Sequence, residues 1–352
     1  AVAMSQSITL TDEQREFRHV VRQFCEAKIA PRAAEVDRRG EYSWENFEAL
    51  KSMELTSLSY PVEYGGHGKK GMQAIAMQEM GRAGVPYMMN IIGLNMAAPT
   101  ILVHGTEEQK QQYLKPLALG ETFAGAGVTE ARSGTDVSDM DTTATKDGSD
   151  YIINGAKMWI SFLGVSTYYL TFAHLGVDEK TGRKKICAFI VDADLPGVSW
   201  HPLKNKYGFR PLATGELVLE NVRVPASALL GEEGQGFEIA MNSVESGRLG
   251  VAARAVGLSQ ACCDAAIGYA KERLVFKQPV GKFQMVQEMI SDMVCGTEAA
   301  RLLTLKKRAV DELRRNEGLP CVRLGKLIRY DVQEIQAWLK ARQRKMCGRW
   351  NH

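Results

Sequence analysis

The hydrophobic pattern of this chain changes its period twice, and this limits the folds that the chain can adopt. Between residues 11 and about 120, apolar residues recur at helical spacing. From about 122 to 230 the period becomes two, with turn residues between short runs, and from 234 the helical period returns. A chain of 352 residues is longer than a single hydrophobic core usually supports. The order α, β, α therefore predicts several packed domains.

The first part of the chain carries clear helix start and stop signals. Thr11 predicts an N-cap, with Glu13 in the turn where the helix dipole favours an acid. Pro31 is expected to kink or end that helix. The further predicted helices are Trp44–Met53, Met72–Ala83, Met88–Val103 and Glu107–Leu117.

The middle part predicts a small β-barrel or sandwich. Turns are expected at four dipeptides, Asp147-Gly148, Asn154-Gly155, Thr181-Gly182 and Pro196-Gly197. The run Ile186–Val191 is continuously apolar, as in a strand that is buried on both faces. A nicotinamide-type Rossmann site is disfavoured, because no third glycine and no helix follow Gly125 and Gly127.

Composition excludes several classes of protein. The net charge of +3 is too small to indicate a polyanion partner for the whole chain. Seven scattered cysteines without a C-x-x-C motif favour reduced thiols in a cytoplasmic protein, and no metal site is expected. The most apolar stretch, 87–103, is interrupted by two asparagines and a proline, so no membrane span is predicted.

Two neighbouring stretches suggest chemistry. The first is a strand end followed by a bend rich in hydroxyls, V-T-E-A-R-S-G-T-D-V at 128–137. The second, K-M-W-I-S at 157–161, is a strand that places Trp159 and Ser161 on one face. They fit either a tight turn with a core tryptophan or a site that packs one side of a planar ring and hydrogen-bonds its edge.

These two motifs together resemble the flavin-binding region of the acyl-CoA dehydrogenase family, and the resemblance covers about residues 10–317. It implies FAD as the cofactor and an acyl-CoA thioester as the substrate. The hydroxyl of Ser161 is expected to bond flavin N5, and Thr135 to contact the substrate as well. The flavin-binding residues that it implies in this part are Val128, Thr129, Thr135, Trp159, Ile160 and Ser161.

The resemblance extends into the second helical part. Glu245 and Arg248 match residues that contact coenzyme A, although an i,i+3 surface ion pair is the alternative. Arg273, Phe276 and Gln284 match residues that reach the FAD of a neighbouring subunit, which implies a homo-oligomer, either a dimer or a tetramer. Lys277 stands where the family has glycine, which puts the local turn in doubt.

The catalytic base is not identified by the sequence. The family removes the substrate α-proton while hydride leaves the β-carbon for flavin, and it passes the electrons to an electron-transfer flavoprotein. Its usual glutamate lies in an E-G-T motif that this sequence lacks, and the alternative base position is occupied by Gly247. The catalytic residue is therefore unknown, and impaired turnover is expected.

The segment 318–345 resembles the wing and last helix of excisionase-like winged-helix DNA-binding domains. It predicts a hairpin that turns at Gly325-Lys326, then a helix capped by Asp331 that buries Ile335, Trp338 and Leu339. Its basic character suits weak contact with nucleic acid. The alternatives are a solvated basic tail, a segment that only packs where family helices are missing, and a non-enzymatic scaffold with an interaction tail.

The predicted fold class is therefore multidomain α and β, similar to acyl-CoA dehydrogenases. A helical N-terminal domain (4–120) precedes the middle β-domain (121–231). A truncated helical bundle (232–317) and the basic hairpin-helix segment (318–352) follow.

Overall fold

A computed structural model describes residues 10–88, 96–179 and 181–305 and the two short strands 322–324 and 327–329. It confirms the predicted order of helical, sheet and helical regions. The helices, numbered here in chain order, are α1 Asp12–Phe24, α2 Ala33–Arg39, α3 Trp44–Lys51, α4 Gln73–Arg82, α5 Ala97–His104, α6 Glu107–Gln109, α7 Lys115–Ala118, α8 Gly236–Glu272 and α9 Gln284–Leu305.

Two helix signals in the first region are confirmed. Thr11 caps α1 through a capping box, because its hydroxyl accepts from the Gln14 amide at 3.2 Å and its own amide donates to the Gln14 side chain at 3.1 Å. Around Pro31 the chain tightens into the 3-10 turn Ala30–Arg32 after a π turn at Cys25–Ile29. The predicted helix Met88–Val103 is described only from α5 onward, since residues 89–95 lie outside the described part.

The middle region forms one sheet. Its strands are β1 Ala124–Gly127, β2 Thr143–Asp147, β3 Asp150–Ser161, β4 Tyr168–Val177, β5 Lys184–Asp192, β6 Val198–Pro202, β7 Thr214–Val224 and β8 Leu229–Leu230. The strand order is β6-β7-β3-β2-β4-β5-β8, with β1 parallel to β4. In the described chain the outer strands β6 and β8 do not pair with each other, so the predicted barrel does not close.

Strand β5 of this sheet is buried on both faces. On β5, Ile186, Ala188 and Ile190 belong to one apolar cluster. The alternate residues Cys187, Phe189 and Val191 belong to a second cluster. The continuous apolar run is therefore explained by a strand with a core on each side.

One predicted turn is wrong. Asn154-Gly155 lies inside the continuous strand β3, and the β2–β3 hairpin turns at Asp147-Gly148 instead. Gly155 has φ +153° at a register shift against β7. A Cβ there would lie 2.4 Å from Thr142 Oγ1, so this glycine allows a close approach of two chain segments.

The contacts divide the chain into two compact units. The sheet unit comprises 26–73 and 87–250, and the helical unit comprises 1–25, 74–86 and the chain from 251 onward. In the helical unit, Arg22 pairs with the buried Glu79 at 2.9 Å, which connects α1 with α4. The short strands β9 Leu274–Val275 and β10 Gln278–Pro279 follow α8. Beyond α9 the described pieces are two antiparallel strands, β11 Val322–Leu324 and β12 Leu327–Arg329, which confirm the predicted tail hairpin.

None of the described helices combines the length with the apolar character that crossing a bilayer requires. The predicted helix of the tail that begins at Asp331 lies outside the described residues.

Candidate functional site

The structure brings the hydroxyl-rich bend and the tryptophan strand together in the sheet unit. The Met158 amide donates to the Thr129 carbonyl at 2.8 Å, and the Glu130 amide donates to the Ser133 carbonyl at 2.8 Å. Val128 is buried and Thr129 is half-buried. The two motifs are thus joined directly by a backbone hydrogen bond.

Trp159 lies on a bulge that exposes its ring. Its φ is +63°, and the pairing of β3 with β7 shifts between Lys157 and Ile160. Trp159 is 61% exposed, whereas Ile160 is 2% exposed and packs into a core cluster. Ser161 is half-buried and pairs with Thr214. A positive φ at a bulky residue is strained, and such strain is concentrated at ligand sites.

The bend itself is held by its own side chains. Ser133 is buried and donates its hydroxyl to the Asp136 carbonyl, while the Asp136 carboxylate accepts from the Ser138 amide at 3.1 Å. Gly134 and Thr135, which lie between Ser133 and Asp136 in the chain, are exposed. The bend therefore presents the Thr135 side chain on a fixed backbone.

A buried ion pair lies behind the bend and was not predicted from the sequence. Lys157 Nζ lies 2.7 Å from Glu130 Oε1, with the two side chains 0% and 5% exposed. Burial raises the pKa of Glu130, but hydrogen bonds from Lys157 and Thr142 and the charge of Lys157 outweigh it, so that pKa lies below its usual value. The only hint of this ion pair in the sequence was a lysine within a strand that alternates between buried and more exposed residues.

A cleft of about 1080 Å³ opens beside the bend. Asp139 accepts from Lys184 Nζ at 3.0 Å on one wall, and Glu233 accepts from Lys185 Nζ at 2.8 Å. The residues that line it are Asp136, Ser138, Asp139, Val177, Asp178, Thr181, Gly182, Arg183, Lys184, Lys185, Ile186, Glu233, Gly234, Gln235 and Phe237. One of its lining residues, Asp136, directly follows Thr135 in the sequence. The cleft carries charges of both signs.

Glu233 connects the segment before α8 to the sheet. Its carboxylate accepts from Tyr151 Oη at 2.7 Å and pairs with Lys146 at 2.6 Å and with Lys185 at 2.8 Å. Hydrogen bonds from Lys146, Lys185 and Tyr151 lower its pKa to about 2. This carboxylate is therefore held ionised far below ordinary pH.

The lowered pKa of Glu233 should be visible in the pH dependence of stability. Because the folded pKa lies below the unfolded one, the contribution of Glu233 is complete above the unfolded pKa and is lost as pH falls toward about 2. We expect the Glu233→Gln variant to lose less unfolding free energy than the wild-type chain between pH 5 and 2, as urea titrations would measure. Equal slopes for both proteins would contradict this assignment.

The predicted coenzyme A residues lie on α8. Arg248 is exposed, and Glu245 lies on the same helix, with its side chain outside the described ones. Gly247, which stands between these two residues in the sequence, is buried. Among the described residues, a Cβ at Gly247 would meet only Met96 Cγ, at an ordinary 3.6 Å.

The residues predicted to serve a neighbouring subunit lie in the helical unit. Arg273, Phe276 and Gln284 are all exposed, and the Phe276 ring is 86% exposed. The hairpin that follows α8 pairs Val275 with Gln278, with positive φ at Phe276 (+51°) and Lys277 (+64°). The turn thus forms with lysine at the position where the resemblance implies glycine, at the expense of backbone strain.

Replacing Lys277 by glycine should stabilise the hairpin. A non-glycine residue with left-handed backbone geometry costs about 1 kcal/mol, which glycine avoids. The Lys277→Ala variant loses the same charge but keeps a Cβ, so it should show no such gain. Thermal unfolding of both variants would decide this, and equal midpoints would contradict the strain argument.

The sequence matches three domains of one protein family, in chain order. These are the acyl-CoA dehydrogenase N-terminal domain over residues 11–121, the middle domain over 125–222 and the C-terminal domain over 234–319. A helix-turn-helix domain family matches residues 297–343 and overlaps the third of these. The two resemblances drawn from the motifs are therefore confirmed.

Individual proteins give the same result. A short-chain-specific acyl-CoA dehydrogenase of Clostridium acetobutylicum is 38% identical over 299 residues, which is 84% of this chain and 78% of the relative. The structure of butyryl-CoA dehydrogenase from Megasphaera elsdenii superposes with a TM-score of 0.79 at 36% identity, covering 89% of this chain and 82% of that one. A glutaryl-CoA dehydrogenase from Mycobacterium smegmatis in complex with FADH2 gives 0.77 at 26% identity, with coverages of 86% and 76%.

Proposed function

The chain belongs to the acyl-CoA dehydrogenase family, whose cofactor is FAD, and from that premise we propose that it desaturates an acyl-CoA thioester between Cα and Cβ. One observation carries the proposal. An exposed indole stands on a strained backbone directly beside the bend, since Met158 donates to Thr129. A large exposed aromatic ring on a fixed backbone suits the face of a flavin ring, so these residues fit the cofactor.

The proposed roles follow from where the side chains lie. Trp159 would cover one face of the flavin ring, and the half-buried Ser161 would donate its hydroxyl to the ring edge at N5. Ile160 would support the strand from its buried side. Val128, Thr129 and Thr135 would border the ring from the bend. Bound FAD supplies the hydride acceptor, and an electron-transfer flavoprotein is the proposed recipient of the electrons.

The substrate is proposed to lie along the bend and α8. Thr135 is exposed and directly precedes Asp136, which lines the charged cleft. Arg248 is an exposed residue on α8 whose guanidinium can bind a phosphate or carbonyl oxygen. Glu245 is proposed to bind the coenzyme A part rather than to act as the base. Arg273, Phe276 and Gln284 are proposed to complete the FAD site of a second copy in a homo-oligomer.

We further propose that turnover is impaired. The substrate α-proton is weakly acidic, and a positioned general base contributes on the order of 10²–10⁴-fold to such a step. Gly247 has no side chain to accept a proton, and the printed sequence has no E-G-T motif. On this proposal the residues of this chain bind and orient the thioester, but none of them is assigned to remove the proton.

Visible absorption of the purified chain tests the proposal. We expect the bands of bound flavin, and partial bleaching when butyryl-CoA, the substrate named for one relative, is added without oxygen. Bleaching should be slow because the base is lacking. Colourless protein that takes up no added FAD would refute the function, and rapid bleaching would refute only the impaired turnover.

A second candidate function rests on the C-terminal segment. The helix-turn-helix match covers residues 297–343, and the described hairpin β11–β12 lies within it. Residues 318–352 are rich in lysine and arginine, which would favour contacts with phosphate. We expect weak retention of duplex DNA that decreases with salt. Retention that is absent at low salt would exclude this function.

A further inference from the structure

The buried ion pair Lys157–Glu130 has no role in the chemistry described above. Lys157 is fully buried and Glu130 is 5% exposed, and their closest atoms are 2.7 Å apart. Burying two charges is costly, and apolar replacements of similar volume often stabilise a protein equally well. Stability alone therefore does not account for an ion pair at this place.

Glu130 holds both ends of the segment that contains the bend. Its carboxylate accepts from the Thr142 amide at 3.0 Å, from the Thr142 hydroxyl at 2.6 Å and from the Asp141 amide. Its own amide donates to the Ser133 carbonyl. Glu130 thus closes the loop 131–141, because its carboxylate binds the backbone at Asp141 and Thr142 while its amide binds Ser133. Thr135 lies within this loop.

Lys157 connects that carboxylate to the tryptophan bulge. The lysine is two residues before Trp159, at the start of the register shift. Its stem passes Gly127 of β1 so closely that a Cβ there would lie 3.2 Å from Lys157 Cγ. Its Nζ also lies 3.9 Å from Met140 Sδ. The lysine side chain therefore packs against Gly127 and Met140 before its ammonium group reaches Glu130.

We propose that Lys157 and Glu130 are positioning residues of the flavin site, which set the separation between the Thr129 bend and the Trp159 bulge. This rests on the proposed function, because it concerns the same cofactor site. The pair connects the backbone of the two elements, and the Met158–Thr129 hydrogen bond then lies next to a fixed anchor. Because the site is already formed before flavin binds, less conformational entropy of the protein is lost on binding.

The test separates positioning from stability by means of three variants of the full chain. Lys157→Met leaves Glu130 as an unpaired buried charge, so it should lower both the unfolding midpoint and the affinity for FAD. The double variant Lys157→Met/Glu130→Gln removes both charges, and the glutamine carbonyl can still accept from Thr142. We expect it to recover most of the unfolding midpoint of the flavin-free chain.

The affinity for FAD should not recover with it. We expect the FAD dissociation constant of the double variant, measured by quenching of flavin fluorescence, to stay on the order of tenfold above wild type, equivalent to about 1.4 kcal/mol. Arg22→Met/Glu79→Gln is the control, because it removes an ion pair of the helical unit whose carboxylate is buried. It should leave the FAD dissociation constant unchanged.

The outcomes are distinct. If the double variant regains wild-type affinity together with stability, the pair is merely structural and this inference is wrong, while the proposed function stands. If the wild-type chain does not bind FAD at all, the proposed function fails and the inference falls with it. Should Lys157→Met not fold, the double variant and its control still decide between these results.

Discussion

Replacing Gly247 by glutamate should raise the rate of acyl-CoA desaturation by on the order of 10²–10⁴-fold. The residue precedes Arg248 on α8, at the position where the family resemblance places an alternative base. The gain is expected because the wild-type chain has no side chain there to accept the α-proton. Anaerobic bleaching of bound flavin by butyryl-CoA would measure the rate.

The structure makes this substitution tolerable. A Cβ at Gly247 would meet, among the described residues, only Met96 Cγ at 3.6 Å, which is an ordinary contact. The position is helical with ordinary negative φ, and glutamate is a better helix former than glycine by roughly 0.5–1 kcal/mol. The backbone of α8 should therefore accept a residue with a Cβ at this position.

Glutamine at the same position is the control. Gly247→Gln has nearly the same shape as Gly247→Glu but cannot accept a proton, so it should stay as slow as the wild type. The glutamate variant should also accelerate as pH rises through the pKa of its new carboxyl, since only the ionised form is a base. A gain shared equally by both variants would show that packing, rather than proton transfer, limits the wild-type rate.

Replacing Arg273 by alanine should raise the FAD dissociation constant on the order of 10–100-fold, the range expected when a charged donor is lost from a phosphate. Arg273 is exposed at the end of α8, so its side chain can be removed without opening a core. An arginine binds a pyrophosphate through two parallel hydrogen bonds. Lysine cannot reproduce this geometry, so Arg273→Lys should recover only part of the affinity.

Two further measurements show whether this arginine serves a second copy. Lys271→Ala removes another exposed cation two residues away and should leave FAD binding intact. Mixing Arg273→Ala chains with Trp159→Ala chains should restore binding, because mixed oligomers contain some sites that are wild type on both sides. A mixture that binds no better than its components would refute a site shared between copies.

The error at Asn154-Gly155 shows the limit of local sequence signals. The dipeptide is a common hairpin turn, and the runs on either side alternate. Asn154 instead accepts from the Asn221 amide at 2.8 Å, and Gly155 allows Thr142 to approach. Both partners are distant in sequence, so nothing within the dipeptide distinguishes a turn from a bulge in a long strand.

The ion pair behind the bend was missed for a similar reason. Glu130 and Lys157 are separated by 27 positions, and each is a common surface residue type. Their burial arises because Gly127 leaves room for the lysine stem on β1, which is a feature of strand packing. Conversely, the positions of the bend and of the Trp159 strand were readable, because each is a contiguous motif.

The amino-acid sequence was enough to predict the order of helical and sheet regions, the capped start of α1 and the motifs that resemble a flavin site. Those features depend on neighbours within a few residues, so their signal is present in the chain as it is read. Three other features became visible only in the fold: the sheet stays open, Trp159 stands on an exposed bulge, and Lys157 reaches Glu130. These depend on contacts between distant segments, whose free energy is set by packing and desolvation in three dimensions.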